Sequence, residues 1–440
     1  MKKYDKFKNS GIEWIGKIPE HWQVNRIKDI IREKVTDGPH ETPAFLDEGI
    51  PFLSVDSIQE GELVFEQCRY ISKENHAEYK VKCNPQRNDI LMGKAASVGK
   101  IARVKIDFEF SVWSPLALLK PELKKVTSIF LEYSLKSDYM QHNVILLSNI
   151  NTQSNIAMED ISRLKMVIPN KEEQITISDY LDESTKKLKK MIENKKRQVE
   201  LIKENSQIII NDILCKGINH NSFKITGIDW LKKIPVEWSI KKLKKLTTKI
   251  GSGKTPKGGS ENYPDKGIIF IRSQNVYFDG LRMDDIKHIS LETHEEMDNT
   301  KVQPNDLLLN VTGASIGRVC LFPKGIGEAN VNQHVSIIRV NESINPRFLQ
   351  YYLYSQSGQA NIYSVQDGAS KEGLSAKDMS FFRIPNPPLE EQESIVKNLD
   401  NITSKIQKSI NITESEITKL EEYKKILIND VVTGKMKVTA

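Results

Sequence analysis

The chain is written twice. Residues Gly11–Trp22 read GIEWIGKIPEHW, and 216 positions later Gly227–Trp238 read GIDWLKKIPVEW. The match continues with small gaps. GIPF at Gly49 returns as GIIF at Gly267, and Ser97-Val98-Gly99 as Ser315-Ile316-Gly317. Phe130-Leu131-x-Tyr133-x-Leu135-x-Ser137 returns as Phe348-Leu349-x-Tyr351-x-Leu353-x-Ser355. Ile-Pro-Asn at Ile168 returns at Ile384, each time shortly before Glu-Glu-Gln. Solenoid repeats have periods of about 20–50 residues. A period near 218 therefore specifies two whole domains of one fold, one after the other.

Each copy has two parts. The first mixes short strand-like runs (Ile50–Val55, Asp89–Met92, Val335–Val340) with Gly, Pro and Asn turns and with helical stretches at Ile129–Met140 and Pro346–Gln359. That mixture predicts an α+β domain. The second part, from Lys171 to Lys216, contains no Pro or Gly and carries charges of both signs. Its spacing predicts a seam of Leu181, Thr185, Leu188, Ile192, Lys195, Val199, Ile202, Ser206, Ile209 and Ile213, alternating steps of 4 and 3. The second copy repeats it at Leu399, Thr403, Ile406, Ile410, Thr413, Ile417, Leu420, Lys424, Leu427 and Val431. This is a sustained heptad pattern, and Gly217 and Gly434 stand where helix stops are expected.

A lone helix with one apolar stripe leaves that stripe wet, at a cost of about 1.5–3 kcal/mol for each large side chain. Two such helices in one chain are expected to pair. The first delivers the chain to the second domain and the second leaves it, so side-by-side packing requires an antiparallel coiled coil. The expected architecture is two similar α+β domains separated by the two helices, with an internal pseudo-two-fold axis. The seam from Leu181 to Ile213 would span about 48 Å at about 1.5 Å per residue.

Motifs for chemistry are weak. Gly251-Ser252-Gly253-Lys254-Thr255 resembles the end of a phosphate-binding loop, but Thr248 stands where that motif needs glycine, and Pro256, Gly258 and Gly259 oppose the helix it needs. Asn386-Pro387-Pro388-Leu389 lacks the aromatic residue of an adenine-methyltransferase loop and reads as a stiff lead into the second helix. Histidine spacing signals no metal site. The four cysteines, Cys68, Cys83, Cys215 and Cys320, form no Cys-x-x-Cys pair and read as reduced packing thiols. There is neither a signal-peptide pattern nor an apolar run of the roughly 18 residues that would suggest a membrane span.

Duplex DNA matches two related modules held apart, since such modules read two half-sites across unread base pairs. A net charge of +6 permits this partner without requiring it. Because the modules differ in sequence, the target is expected to be asymmetric. Base edges are read by Arg, Lys, Asn, Gln, Ser and Thr. In the first module polar loops carry Thr42 of the Asp37–Thr42 turn, Lys94 with Ser97, and Gln153 and Asn155 of the Asn149–Asn155 loop. In the second they carry Lys254, Thr255 and Lys257; Arg272, Gln274 and Asn275; Thr312, Ser315 and Arg318; Gln333 and His334; and Lys371.

The duplicated Gly-Ile-x-Trp-x-x-x-Ile-Pro-x-x-Trp openings, with Pro385-x-Pro387-Pro388-x-Glu390-Glu391-Gln392 leading into a long helix, resemble the specificity subunit of type I restriction-modification systems. The first copy, Pro169-x-x-Glu172-Glu173-Gln174, lacks the proline pair and is two residues shorter. The resemblance covers essentially the whole chain. It implies target recognition domains over residues 1–170 and 218–388, with helical spacers over 171–217 and 389–436. It implies a non-catalytic cytoplasmic subunit that binds double-stranded DNA and docks two methylation subunits and restriction subunits. S-adenosylmethionine, ATP and magnesium would then belong to those partners, with no cofactor in this chain. Two other classes stay open on the residues alone: a coiled-coil scaffold that binds only proteins, and a self-contained nuclease-methyltransferase.

Overall fold

The computed structural model describes residues 3–150, 154–256, 263–365 and 373–438. The chain divides into two compact units, Met1–Lys196 with Glu414–Ala440, and Arg197–Thr413. The division falls within both long helices, Lys171–Lys216 and Leu389–Val432. Each unit thus holds an α+β body, part of the helix that leaves it, and part of the other helix.

In the first unit a four-stranded antiparallel sheet runs Ile101–Arg103, Ile90–Gly93, Leu116–Leu119, Thr36–Asp37. Its two central strands, ILMG and LALL, are buried at every position, as a strand covered on both faces must be apolar throughout. A second sheet sets Ile50–Leu53 between Ser111–Val112, which runs parallel to it, and Arg69–Ile71, which runs antiparallel. A ribbon pairs Gln23–Arg26 with Lys165–Ile168 and so ties the start of the body to its exit into the helix.

The second unit repeats this strand for strand. Its four-stranded sheet runs Val319–Leu321, Leu307–Asn310, Val335–Val340, Thr247–Ser252. Its second sheet sets Ile268–Ile271 between parallel Ala329–Val331 and antiparallel Lys287–Ile289, and its ribbon pairs Ser239–Lys242 with Arg383–Asn386. The fold class is α+β, given twice.

The helical stretches differ in detail from the sequence expectation. Ile129–Met140 lies across two helices, Ser128–Lys136 and Asp138–Leu146, and Pro346–Gln359 across Pro346–Tyr354 and Gln356–Ser364. Ser137 and Ser355 leave helical geometry and start the second helix of each pair, and Ser355 caps Gly358 N–H through its side chain. A Cβ on Gly358 would sit 1.8 Å from the Tyr352 carbonyl oxygen, so the tight corner needs glycine there.

The repeated Glu-Glu-Gln has a structural meaning. Gln174 is buried, accepts from Thr127 N–H at 2.8 Å, and donates to the carbonyls of Lys125 and Pro169. Gln392 does the same with Asn345 N–H at 2.7 Å and the carbonyls of Ser343 and Pro387. The preceding glutamate anchors the opening segment of its unit. Glu173 accepts from Tyr4 and meets His21, and Glu391 accepts from the Trp238 indole N–H and meets His220.

Within the first unit the two helix segments run antiparallel. Glu173 meets Tyr4, whose ring lies under Lys437, and further along Lys195 pairs with Glu416 at 2.7 Å. Leu181 and Leu188 share one core with Leu427 and Val431, with Leu420 packed against it, while Ile192 is buried and Ile417 half-buried. Within the second unit Ile213 packs against a core that holds Leu399, Val199 and Ile410 are buried, and Ile202 and Ile406 are half-buried. One seam position is corrected: Ile209 is 44% exposed, and Ile210 and Leu214 are buried in its place. A straight helix drifts about 20° per heptad from a strict seven-residue repeat. Near its end the first helix packs on the second α+β body, in the core with Trp238 and Tyr352, so the buried stripe follows that surface.

Candidate nucleic-acid interface

In the second unit several loops converge at one end of the four-stranded sheet. Strand Thr247–Ser252 runs on into Gly253 and Lys254, whose N–H groups bond to the carbonyls of Val335 and Val331. A Cβ on Gly253 would lie 2.0 Å from the Val331 oxygen. Close approach of two backbones, and not phosphate binding, is the reason for glycine in this string. The Asn332–His334 turn lies alongside. Val311 N–H bonds to the His334 carbonyl, and the Thr312 hydroxyl meets His334 Nδ1 at 2.6 Å. Gln333 Nε2 meets His334 Nε2 at 3.3 Å. Ser315 closes the Thr312 turn, and Arg318 lies over the Tyr277 ring at 4.7 Å. Thr255 is half-buried beside exposed Lys254.

Arg272 and Gln274 occupy the adjoining turn, and Asn310 Nδ2 donates to the Ser273 carbonyl to join the two groups. Their side chains converge on Asp285, with Arg272 Nη2 at 3.0 Å, Gln274 Nε2 at 2.7 Å and Lys287 at 3.2 Å. Lys287 and then Arg272 hold the Asp285 carboxyl below its ordinary range. Asn275 is corrected as a base-reading candidate. It is buried, accepts from Arg272 N–H and donates to the Arg282 carbonyl, so its amide is consumed by the turn.

The first unit presents the same end with different side chains. Gly38 takes the place of Gly253, and a Cβ there would lie 1.7 Å from the Val112 oxygen. Ser114 N–H bonds to the Pro39 carbonyl, Lys94 N–H to Pro115, and Ala96 N–H to Ser154. Ala95 bridges Asn155. Lys94, Ser97 and Asn155 are thereby brought beside the Asp37–His40 turn, and Thr42 is exposed just beyond it. Lys94 is corrected as a free reader: its side chain is 11% exposed and pairs with buried Asp37 at 3.1 Å. Gln153, Lys257 and Lys371 lie outside the described residues.

Sequence reasoning missed the Trp113–Pro115 turn, which sits where Asn332–His334 sits in the second unit. In both, the first turn residue donates its N–H to the end of the neighbouring parallel strand, Trp113 to Leu53 and Asn332 to Ile271. The alignment of the two copies was the available signal. It also missed Lys82, which arrives from a separate helix to bond Asp37 at 2.6 Å.

Residues 19–201 and 235–419 each match the type I restriction modification DNA specificity domain. The chain belongs to this family. It is a specificity subunit with two target recognition domains, and its role is DNA sequence specificity. It is 27% identical over 443 residues to the putative type I restriction enzyme MjaX specificity subunit of Methanocaldococcus jannaschii, covering 96% of each chain. It is 24% identical over 422 residues to the type I restriction enzyme EcoKI specificity subunit of Escherichia coli K12, covering 92% of this chain and 88% of that one. The fold resembles a chain from a structural study of complex assembly and conformational transition of the type I R-M system, with TM-score 0.75, 16% identity, and 95% and 99% of the two chains covered. It also resembles the HsdS subunit from Thermoanaerobacter tengcongensis, with TM-score 0.56, 17% identity, and 95% and 98% coverage. Among the described residues, no helix of this specificity subunit is long and apolar enough to cross a membrane.

Proposed function

We propose that this specificity subunit reads an asymmetric, two-part duplex DNA sequence, one half through the loop end of each target recognition domain. One observation carries the reading. The two sheets match strand for strand, yet their loop ends carry different polar side chains: Lys94 and Ser97 with Asn155 in one, Thr312, Gln333 and His334 with Lys254 in the other. A shared frame with unlike tips is what two unlike half-sites require, since base contacts specify and backbone contacts position. The long helices, 46 and 44 residues, act as the spacer between half-sites, and their outward faces dock two methylation subunits. Restriction subunits join that assembly, in the cytoplasm. The chain performs no chemistry itself. The complex is a DNA adenine methyltransferase and an ATP-dependent endonuclease, and S-adenosylmethionine, ATP and magnesium are held by its other subunits.

A domain exchange tests this. Replacing residues 1–168 with those of a relative, in the assembled methyltransferase, should change one half of the methylated motif and leave the other. A change in both halves, or in neither, refutes modular reading. Adding one heptad to each helix should lengthen the unread gap; an unchanged gap in the methylation map refutes the spacer.

A further inference from the structure

The first target recognition domain holds a side-chain cluster that the described residues of the second do not repeat. The Asp37 carboxylate is fully buried, and three side-chain nitrogens from three separate segments converge on it, Lys82 with a hydrogen bond. Lys82 Nζ, from the end of helix Lys73–Lys82, lies 2.6 Å from Oδ1. Lys94 Nζ, just past strand Ile90–Gly93, lies 3.1 Å from Oδ2, and His40 Nε2, in the turn after Gly38, lies 3.2 Å from Oδ2. Burial pushes the Asp37 carboxyl up, but the hydrogen bonds from Lys82 and Lys94 outweigh it and hold the group below the ordinary carboxylate range. Lys94 is buried support. The Lys82 and His40 side chains are 55% and 71% exposed.

We propose that Asp37 orients Lys82 and His40 as a directional donor set, and that its ligand is the acceptor edge of a guanine in the first half-site. This rests on the two-half reading above. An ammonium carries three N–H donors, so Lys82 keeps two after bonding Asp37. Guanine offers two adjacent acceptors, O6 and N7, in the major groove. The buried carboxylate decides between base and phosphate. Phosphate binding grows with uncompensated positive charge, and Asp37 cancels part of it. What the carboxylate supplies is direction, which a base edge needs and a phosphate does not. The location agrees, since Gly38 and Pro39 join this turn to the Trp113–Pro115 turn at the loop end. In the second domain the corresponding positions are Ser252, Thr300 and Val311, all uncharged. The second half-site is therefore an internal control.

The test uses the full chain assembled with its methylation subunit, carrying Lys82→Ala or Asp37→Asn, with methylation maps on a randomised DNA library and binding measured over a salt series. Lys82→Ala should weaken methylation of the native motif about tenfold to a hundredfold and relax one guanine position in the first half-site, with the second half unchanged. Asp37→Asn, acting as a positioning change, should relax the same position, and the double variant should match Lys82→Ala. Equal loss on every sequence, with a salt slope lowered by about 1, would place Lys82 on a phosphate and overturn the proposal. An unchanged motif and affinity in both variants would reduce the cluster to a structural ion pair and overturn it too. If Lys82→Ala fails to fold, Lys82→Met keeps the aliphatic stem and answers the same question. A wild-type motif with two halves but no guanine in the first refutes this inference alone, whereas a wild-type motif without two halves refutes the reading beneath it.

Discussion

Replacing Gln392 by Met keeps the length of the side chain and removes every polar atom. Gln392 is 1% exposed and makes three hydrogen bonds, to Asn345 N–H at 2.7 Å and to the carbonyls of Pro387 at 2.9 Å and Ser343 at 3.4 Å. Ser343 is exposed, so its carbonyl regains water. The Asn345 N–H and the buried Pro387 carbonyl lose their partner. Each orphaned group withdrawn from water costs about 1–3 kcal/mol, so losing both partners should destabilise the second unit by about 2–6 kcal/mol. For a unit of this size 1 kcal/mol lowers Tm by about 2–4 °C, which gives a fall of about 4–24 °C. Scanning calorimetry of the full chain is the assay. It resolves the transitions of the two units separately where they do not coincide, because a multidomain chain need not unfold in one step. Glu393→Ala, at an exposed neighbouring position, is the control and should leave Tm within about 1–2 °C, the effect of about 0.5 kcal/mol or less. A fall under about 2 °C for Gln392→Met would refute the claim that this glutamine clamps the helix start to the loop before Pro346.

The pH dependence follows from Glu132. Burial pushes its carboxyl up, but Lys136 and then Arg103 outweigh that and hold it below the ordinary glutamate range. Its contribution to stability is therefore present above the ordinary glutamate pKa and is lost as pH falls through the folded value, so Glu132→Gln should flatten the acid limb of a Tm-against-pH curve; an unchanged limb would refute this. Gly253→Ala places a Cβ 2.0 Å from a backbone oxygen, and methylation maps should show loss at the second half-site with the first retained; loss confined to the first half would contradict the placement. Cys83 is pushed up to about 11 and Cys320 to about 12, mainly by burial, and Cys215 is raised by burial as well. Mass spectrometry after brief maleimide treatment of the native chain should find only the half-buried Cys68 alkylated, and equal labelling of the four thiols would refute the buried assignments.

Much of this architecture is legible in the residues because it is carried by local patterns. The offset between the copies announces two bodies of one fold, and the heptad spacing announces the long helices from Leu181 to Ile213 and from Leu399 to Val431. Legibility ends where tertiary packing takes over. Ile209 fits the seven-residue spacing, but the helix end turns its apolar stripe toward the second body and buries Ile210 and Leu214 instead. At the candidate interface residue type was a fair guide to place and a poor guide to role. Lys94 and Asn275 do sit at the loop ends, but the first is buried against Asp37 and the second is spent on its turn. Lys82 and Trp113 carried no local mark, since only the fold brings them there.

The two copies also show how recognition can change without loss of the frame. The groups that fix backbone geometry are the same in both: Gly38 and Gly253 at the close approach, Gln174 and Gln392 at the helix starts, and Gly99 and Gly317. At Gly99 and Gly317 φ is near +89° and +88°, and a Cβ would meet Gln141 or Gln359 within about 2.5 Å. These positions tolerate little, because a side chain or a lost amide bond disturbs buried backbone. The groups at the tips differ: Asp37 against Ser252, Lys94 against Val311, Gln67, two residues before strand Arg69–Ile71, against Asp285, and Trp113 against Asn332. Asp37 pairs with Lys82 and Lys94, Asp285 with Arg272 and Lys287, and Gln67 is exposed, so these groups are satisfied at the loop end apart from the sheets and helix clamps, while Trp113 also packs on Phe52. Stability and specificity are thus assigned to different residues within each domain. On that division, exchanging the four tip residues of one domain for those of the other should alter the methylated motif while moving Tm far less than Gln392→Met does; a Tm loss as large as that of Gln392→Met would show that the tips belong to the frame.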